Sequence, residues 1–294
     1  MSQPLTIVFC GTPDFAVPSL KALLSDPAFA VKLVITQPDK PVGRKQILTP
    51  PPVKVLALQH GIPVWQPQNI NEEATSYELQ ATSFNFLVVV AYGQILSKEI
   101  LALPRIAPIN LHPSLLPRWR GASPMHHAIL AGDRETGVTI QQMAEALDAG
   151  PILAQERLPL SSMETFASLK QTLAEKGAAL LTHTLQSPLQ PVPQDATKVS
   201  VCSKLTRKDG EVDPQRMTAE EIDRKVRALT PWPGVTCPIN RETVKILKTS
   251  LTAVKEALPL PCAGDSTLFV LEMQPPGKKP MSGAAWTRGK RTIP

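Results

Sequence analysis

The chain has 294 residues, of which 43% are hydrophobic and 19% charged, a composition typical of a folded protein and not of a disordered one. The formal net charge is +6, and all of this excess follows residue 187, because residues 1–187 carry 14 basic and 14 acidic side chains. The four scattered cysteines exclude a C-x-x-C zinc or redox motif, and no apolar run reaches the ~20 residues of a membrane span.

Length and charge together predict two domains, since a typical domain has about 150 residues. Residues 187–200 are mostly polar, rich in proline and without helical periodicity, which is typical of an extended linker. We therefore predict a neutral domain over 1–187, a linker over 188–203 and a basic domain over 204–294. The basic domain favours a polyanionic partner. The chain begins without a basic or amphipathic leader and shows no heptads, so we expect a cytoplasmic monomer.

The first elements in chain order predict an α/β fold with a doubly wound, Rossmann-like parallel sheet. Leu5–Cys10 is apolar and rich in strand-forming residues, helical spacing follows from Val17, and Ala30–Thr36 is a second strand. Phe86–Ala91 is the most apolar strand and should lie centrally, with its carboxyl end at the edge where such sheets bind ligands. Further elements are predicted at Val53–His60, Ile62–Trp65, Glu72–Leu79, Ser123–Ala131, Thr136–Met143, Ile152–Leu158 and from a capping box at Ser161–Glu164 to Leu185.

The basic domain is predicted to be a small β-barrel or sheet with one helix. A capping box at Thr218 and Glu221 should open a helix that ends before Pro231–Gly234. Short strands are predicted at Val244–Thr249 and Ser266–Met273.

The segment Gln37–Pro52 is longer and richer in proline than an ordinary connection. It carries Lys40, Arg44 and Lys45 around Gly43, so a mobile arm that contacts an anion is one interpretation. A linker without function is the other, and composition leaves both open.

The strand that ends at Asn110 and His112 is the main candidate site. Residues i and i+2 of a strand project from one face, so an amide donor and an imidazole would share a small volume. Asp148 is the acidic residue expected to meet His112, fixing its tautomer. An Asn–His–Asp set favours acyl transfer to an amine, although Ser114 as a nucleophile stays open. His126 and His127 are adjacent on a helix without a partner, so no metal site is expected.

Several stretches of the chain resemble the methionyl-tRNA formyltransferase family. They are Gly11–Pro18, Thr36–Pro41, Val88–Gly93, Asn110–Gly121, Leu147–Gly150, Pro231–Gly234 and Gly277–Gly283. The resemblance implies transfer of a formyl group from the co-substrate 10-formyltetrahydrofolate to the methionine amine of initiator methionyl-tRNA, with Asn110, His112 and Asp148 as the catalytic set. It also implies folate contacts from Ser114, Leu115, Leu116 and Pro117, with the backbones of 88–92 and 144–148 as further walls.

The resemblance implies tRNA contacts too, from the Gln37–Pro52 segment and from an OB-like C-terminal β-barrel. The implied contact residues are Lys40, Arg44, Lys45, Lys204, Lys208, Lys248, Lys278 and Lys279. Two departures from the family pattern stand out. Glycine and positive charge are lost after Arg44, and a segment expected between Leu260 and Gly264 is missing, which shortens the barrel.

Three other functions are compatible with the Asn110, His112 and Asp148 set. A formyltransferase that acts on a nucleotide sugar or a purine precursor would need neither the basic domain nor the basic loop. A folate hydrolase that releases formate could use the same catalytic geometry. A tRNA-binding module with an inactive folate domain is the alternative from another class, and the intact Asn–His–Asp set argues against it.

Overall fold

The computed structural model describes residues 3–43, 45–240 and 242–290. Contacts within these ranges divide the chain into two compact units, one of residues 3–121, 136–158 and 170–201, the other of residues 122–135, 159–169 and 202–290. Because the second unit includes two segments from before residue 187, the linear boundaries at 187 and 203 stay predictions.

The strands and helices are named here in chain order. The strands are β1 (Leu5–Gly11), β2 (Phe29–Ile35), β3 (Lys40–Val42), β4 (Ile47–Thr49), β5 (Val64–Trp65), β6 (Phe86–Val90), β7 (Ala107–His112), β8 (Arg120–Gly121), β9 (Glu135–Gln142), β10 (Ile152–Pro159), β11 (Val201–Cys202), β12 (Val235–Ile239), β13 (Glu242–Ser250), β14 (Leu258–Cys262), β15 (Ser266–Gln274) and β16 (Met281–Ser282). The helices are α1 (Val17–Ser25), α2 (Pro52–Gln59), α3 (Glu73–Thr82), α4 (Lys98–Leu101), α5 (Pro124–Ala131), α6 (Phe166–Gln186), α7 (Ala219–Leu229) and α8 (Gly283–Lys290). In the part of the chain described, no helix combines the length and apolarity that a bilayer span requires.

The first unit contains a seven-stranded sheet in the order β10-β9-β7-β6-β1-β2-β5. Strands β5, β2, β1, β6 and β7 are parallel to their neighbours, whereas β9 runs antiparallel to β7. The chain winds from β1 outwards to β5 and then returns to β6 on the other side of β1. That reversal creates a crevice at the carboxyl ends of β1 and β6, the position where open α/β sheets bind ligands. The Rossmann-like α/β arrangement is therefore confirmed.

The core of the first unit is formed by strand residues two apart. Val8 and Cys10 of β1 pack with Leu87 and Val89 of β6, and all four are buried. Strands covered on both faces are apolar throughout, which is why β1 and β6 were recognisable from sequence. Burial raises the pKa of the Cys10 thiol, so this cysteine is an inert core residue, as predicted.

Two local predictions for the part of the chain before residue 187 differ from the structure. Within Gln37–Pro52, β3 and β4 form an antiparallel hairpin in which Lys40 pairs with Thr49, where an irregular loop was expected. Arg44 lies outside the described residues. Helix α6 begins at Phe166, beyond the predicted capping box at Ser161, because Thr165 and Ser168 exchange backbone-to-hydroxyl hydrogen bonds of 3.1 and 3.2 Å there.

The second unit contains a five-stranded antiparallel sheet in the order β12-β13-β15-β14, with β16 also paired to β15. Helix α7 packs on β13 and β15 through a buried stripe at helical spacing that includes Ile222, Val226 and Leu229. The predicted capping box is confirmed, since Thr218 and Glu221 exchange hydrogen bonds at the start of α7. The sequence missed β12, β14, β16 and α8.

The segment predicted to be shortened forms a tight hairpin. Strand β14 ends at Cys262, which pairs with Ser266 at the start of β15, so a three-residue loop joins the strands. Gly264 and Asp265 in that loop have φ of +66° and +51°. Short hairpin loops need such left-handed residues, and glycine adopts the conformation without a steric cost. The two strands therefore close on each other directly where the family resemblance implied an additional segment.

A partly buried histidine in the second unit, His126, predicts acid sensitivity. Burial lowers the pKa of His126 from 6.5 to about 4, and neighbouring His127 adds to this effect. The ring stacks on Phe166 with 3.9 Å between centroids. The unfolded chain takes up a proton near pH 6.5 and the folded chain only near pH 4, so stability is lost as the pH falls through that window.

Replacing His126 by phenylalanine keeps an aromatic ring on Phe166 and removes the proton uptake. We expect the free energy of unfolding to fall less steeply between pH 6.5 and about 4 than in the wild type. Chemical denaturation at several pH values in this window measures the slope. The exposed His60→Phe variant is the control and should keep the wild-type slope. An unchanged slope in His126→Phe would contradict the assignment.

Candidate active site

Asn110 and His112 lie two residues apart at the carboxyl end of β7, and their side chains share one face of the strand as predicted. They are 9% and 4% exposed. The strand ends at Pro113, because proline fixes φ and has no N–H for a sheet ladder. An amide and an imidazole are thus held in a nearly dry environment, where polar groups interact more strongly than in water.

Asp148 meets both side chains, although it comes from the loop between β9 and β10. Its Oδ1 lies 3.4 Å from Asn110 Nδ2 and 3.5 Å from His112 Nδ1. The backbone N–H of Gly121 donates to Oδ2 at 2.9 Å, and Gln141 Nε2 donates to Oδ1 at 3.0 Å. Both oxygens of the carboxylate thus accept hydrogen bonds, which fix its orientation.

The second nitrogen of His112 has a partner that the sequence did not indicate. Nε2 lies 2.9 Å from the carbonyl oxygen of Trp119. A carbonyl oxygen can only accept a hydrogen bond, so Nε2 carries a proton and donates to it. The Trp119 carbonyl therefore sets the tautomer through Nε2, and Asp148 Oδ1 lies beside Nδ1.

The turn after His112 is held by side chains from two neighbouring strands. Thr139 of β9 donates its hydroxyl to Ser114 O at 2.6 Å and accepts from Leu116 N at 3.1 Å. Gln155 of β10 donates to Leu116 O at 2.8 Å. The Ser114 hydroxyl donates to Arg118 O at 2.6 Å, and the Ser114 side chain is fully buried. That engagement argues against Ser114 as a nucleophile.

The four residues with predicted folate contacts differ in accessibility. Ser114 and Leu116 are buried, whereas Leu115 and Pro117 are partly exposed. Leu147, next to Asp148, is 62% exposed, so apolar surface borders the Asn110–His112–Asp148 cluster. Across the sheet, the Tyr92 carbonyl after β6 accepts from Thr12 Oγ1 at 2.8 Å, which ties together the loops that follow β1 and β6.

Four residues that contact this cluster were not predicted: Trp119, Gly121, Gln141 and Gln194. Gln141 has a signal in the sequence, since it shares a strand face with Thr139 in the alternating run of β9. Its pairing opposite Asn110 depends on strand register, which the sequence alone does not reveal. Gly121 and Trp119 act through backbone atoms, so side-chain chemistry could not have indicated them.

The predicted tRNA-contacting lysines are exposed and lie on separate elements. Lys40 and Lys45 belong to the β3–β4 hairpin of the first unit. In the second unit, Lys248 is on β13, Lys208 is in the short 3-10 helix Arg207–Gly210, and Lys204, Lys278 and Lys279 lie in loops and turns. In the described ranges, the search for metal sites found no group of three or more His, Cys, Asp or Glu side chains.

Known proteins match the whole chain. Residues 5–185 match the family model for formyl transferase, and residues 204–291 match the model for the formyl transferase C-terminal domain. A methionyl-tRNA formyltransferase of Stutzerimonas stutzeri is 44% identical over 296 residues, which cover 96% of this chain and 93% of that protein.

Two solved structures share the fold at lower identity. An N-formyltransferase from Helicobacter canadensis, in complex with folinic acid and dTDP-3-aminofucose, has a TM-score of 0.68 at 19% identity and covers 92% of this chain and 99% of its own. HypX from Aquifex aeolicus in complex with tetrahydrofolic acid has a TM-score of 0.64 at 15% identity. The match covers 97% of this chain and 47% of HypX. The two family models and the full-length relative establish that the chain belongs to the formyl transferase family, among the methionyl-tRNA formyltransferases.

Proposed function

We propose that the protein transfers the formyl group of 10-formyltetrahydrofolate to the α-amino group of methionine on initiator methionyl-tRNA. The observation that carries this function is the Asn110–His112–Asp148 cluster, in which Asp148 Oδ1 lies 3.4 Å from the amide nitrogen and 3.5 Å from the imidazole. The cluster holds a donor, a base and a carboxylate together, which is the equipment for acyl transfer to an amine.

Asn110 is the proposed oxyanion donor. When the amine nitrogen attacks the formyl carbon, the carbonyl π-electrons move to the oxygen, which gains negative charge. One hydrogen of the Asn110 amide faces Asp148, and the second can donate to that oxygen. Because the amide is held in place before the reaction, it stabilises the charge without a cost of reorganisation.

His112 Nδ1 is the proposed proton acceptor. Nε2 is occupied by the Trp119 carbonyl, so Nδ1 holds the free lone pair of the neutral ring. An α-amino group titrates near ~8, so the base removes a proton from the nitrogen only as the new bond forms. Asp148 then accepts a hydrogen bond from the protonated Nδ1. Collapse of the adduct breaks the bond between the formyl carbon and the folate nitrogen, and this proton goes to that nitrogen.

The residues around the cluster fit a folate co-substrate. Leu147 offers exposed apolar surface to an aromatic bicycle, and the buried Oε1 of Gln141 has no hydrogen-bond partner within the described residues. A pterin ring carries N–H donors that would satisfy such an acceptor. We assign Leu115 and Pro117, which are partly exposed, as the side chains of the Ser114–Pro117 segment that contact it.

The tRNA is proposed to contact both units. The exposed lysines of the β3–β4 hairpin and of the second unit are the candidate phosphate contacts, and Arg44 is a further candidate outside the described residues. The antiparallel sheet of the second unit supports an OB-like arrangement with a shortened β14–β15 connection. We propose that the protein acts in the cytoplasm as a monomer.

The decisive assay supplies 10-formyltetrahydrofolate together with charged initiator tRNA and looks for formyl-methionine on the tRNA. We expect formylation of methionyl-tRNA and no transfer to amino sugars. Release of formate without transfer would identify a hydrolase, and transfer to an amino sugar alone would identify a sugar formyltransferase. Binding of tRNA without any product would identify an inactive binding module.

A charge-removal experiment tests the tRNA surface. Replacing Lys278 and Lys279 by alanine should weaken tRNA binding and reduce the slope of log K against log salt by about 2, one for each lost phosphate contact. Binding measured over a range of salt concentrations gives the slope. The control removes the same charge from the first unit by replacing the exposed Lys21 and Lys32. Equal slopes in the two double variants would contradict the assignment of this surface.

A further inference from the structure

The segment from Val192 to Ser200, here called the strap, is bound to the first unit instead of connecting freely. Val192 and Ile152 exchange both backbone hydrogen bonds at 2.8 Å, so the strap pairs with the start of β10. All residues of the strap belong to the same compact unit as the catalytic cluster. A short 3-10 helix, Ala196–Lys198, interrupts the strap.

Gln194 of the strap contacts the backbone of the catalytic loop. Its Nε2 donates to Asp148 O at 2.8 Å and to Gly150 O at 2.7 Å. Its Oε1 accepts from Arg120 Nε at 3.0 Å and from Arg120 Nη2 at 2.7 Å. A primary amide is suited to this position, because it offers two donors and one acceptor oxygen with two lone pairs. Gln194 thus joins the segment before Gly121 to the loop that carries Asp148.

The contact holds a backbone conformation that is otherwise unfavourable. Asp148 has a φ of +51°, in the left-handed region that non-glycine residues enter only at an energetic cost. Gly150 lets the same loop pass close to β9. A Cβ atom at this position would lie only 1.8 Å from the carbonyl oxygen of Gln142, so a larger residue would clash. Gln194 fixes the carbonyl of Asp148, and the carboxylate of the same residue is thereby aimed at His112.

Ser200 provides a parallel support on the histidine side. Its hydroxyl oxygen accepts from Trp119 N at 2.9 Å, and its carbonyl accepts from Arg120 N at 2.9 Å. Trp119 itself has a φ of +61° and supplies the carbonyl that sets the His112 tautomer. The strap therefore supports the residues that orient both titratable members of the catalytic set.

We propose that Gln194 is a positioning residue for formyl transfer: it holds the Asp148 backbone so that the carboxylate keeps its place between Asn110 and His112. This inference rests on the proposed function of the cluster. Gln194 contacts neither reacting atom, so its loss should disturb geometry and leave the surfaces for both substrates intact. Misplacement of a catalytic group by about 1 Å can cost 10²-fold in rate.

The test replaces Gln194 by methionine, which has similar length and lacks the hydrogen bonds. We expect kcat to fall about tenfold to 100-fold while the KM values for folate and methionyl-tRNA stay within about twofold. The matched control is Gln190→Met, an exposed glutamine of the same proline-rich segment, which should keep the wild-type kcat. Wild-type kcat in Gln194→Met, or a loss confined to KM, would overturn the proposal.

A second variant separates positioning from general stability. Gln194→Glu can still accept from Arg120 but cannot donate to the carbonyls of Asp148 and Gly150. We expect it to keep the wild-type melting temperature within a few degrees and to lose kcat as the methionine variant does. Full activity would overturn the proposal, and this variant also carries the test if Gln194→Met fails to fold.

Adding the Asp148→Asn variant to the same assay separates the positioning role of Gln194 from the proposed function of the Asn110–His112–Asp148 cluster. An inactive Asp148→Asn beside fully active Gln194 variants would overturn the positioning role alone. An active Asp148→Asn would overturn the proposed function of the cluster itself.

Discussion

Replacing Asn110 by alanine is expected to lower kcat for formyl transfer by about 10²–10³, the usual loss when one oxyanion donor is removed. Its side-chain amide donates to the Asp148 carboxylate at 3.4 Å, a long hydrogen bond, so the change removes the proposed donor at little expense to the fold. The KM for methionyl-tRNA should change little, because the donor acts on charge that develops in the transition state.

Single-turnover rates with saturating methionyl-tRNA measure this effect directly. The control is Gln80→Ala, which removes an exposed amide from α3 of the same unit. Asn110→Ala with turnover within about threefold of the wild type would exclude Asn110 from oxyanion stabilisation. A parallel loss in Gln80→Ala would show that the effect is not specific to the site.

The position of this site could be predicted from local rules. Asn110 and His112 are two residues apart before a proline, and the period of a strand alone places them on one face. Asp148 could be proposed as their partner because both lie at junctions of strand and loop in one sheet, although β9, which precedes the Asp148 loop, runs antiparallel to β7. The pairing of Asn110 with Gln141, by contrast, depends on the register of β7 and β9. Register is set by tertiary packing, so one sequence cannot reveal it.

Contacts of irregular segments could not be predicted from the sequence. The strap is polar and rich in proline, as a linker would be, and the side chains of Gln194 and Ser200 bind backbone groups of distant loops. Hydrogen bonds from a side chain to a remote backbone leave no periodic pattern in sequence. The hairpin within Gln37–Pro52 was likewise not predictable, because it depends on contacts with residues outside the segment. There, Asp39 accepts from Lys54 at 2.9 Å and from Gln66 at 2.7 Å, contacts that fix the base of an unexpected hairpin.

Replacing Asp148 by asparagine is expected to lower kcat by about 10²–10⁴, more than most conservative changes, because three hydrogen-bond donors converge on its carboxylate. Gly121 N donates to Oδ2, and Gln141 Nε2 and Asn110 Nδ2 donate to Oδ1. An asparagine amide has one oxygen, so either orientation turns an NH2 group towards a donor. The protonated Nδ1 of His112 would also lose its charged partner.

The measurement is kcat as a function of pH for Asp148→Asn, Asp148→Glu and wild type, with folding checked by thermal melting. The glutamate variant restores the charge on a longer side chain and should recover part of the lost rate. If charge alone mattered, glutamate would recover nearly all of it; if geometry alone mattered, asparagine, which has the size of aspartate, would be the more active. Activity lower than wild type in both variants, with glutamate the higher, is the result that a carboxylate held by converging donors predicts. Wild-type activity in Asp148→Asn would remove the carboxylate from the mechanism.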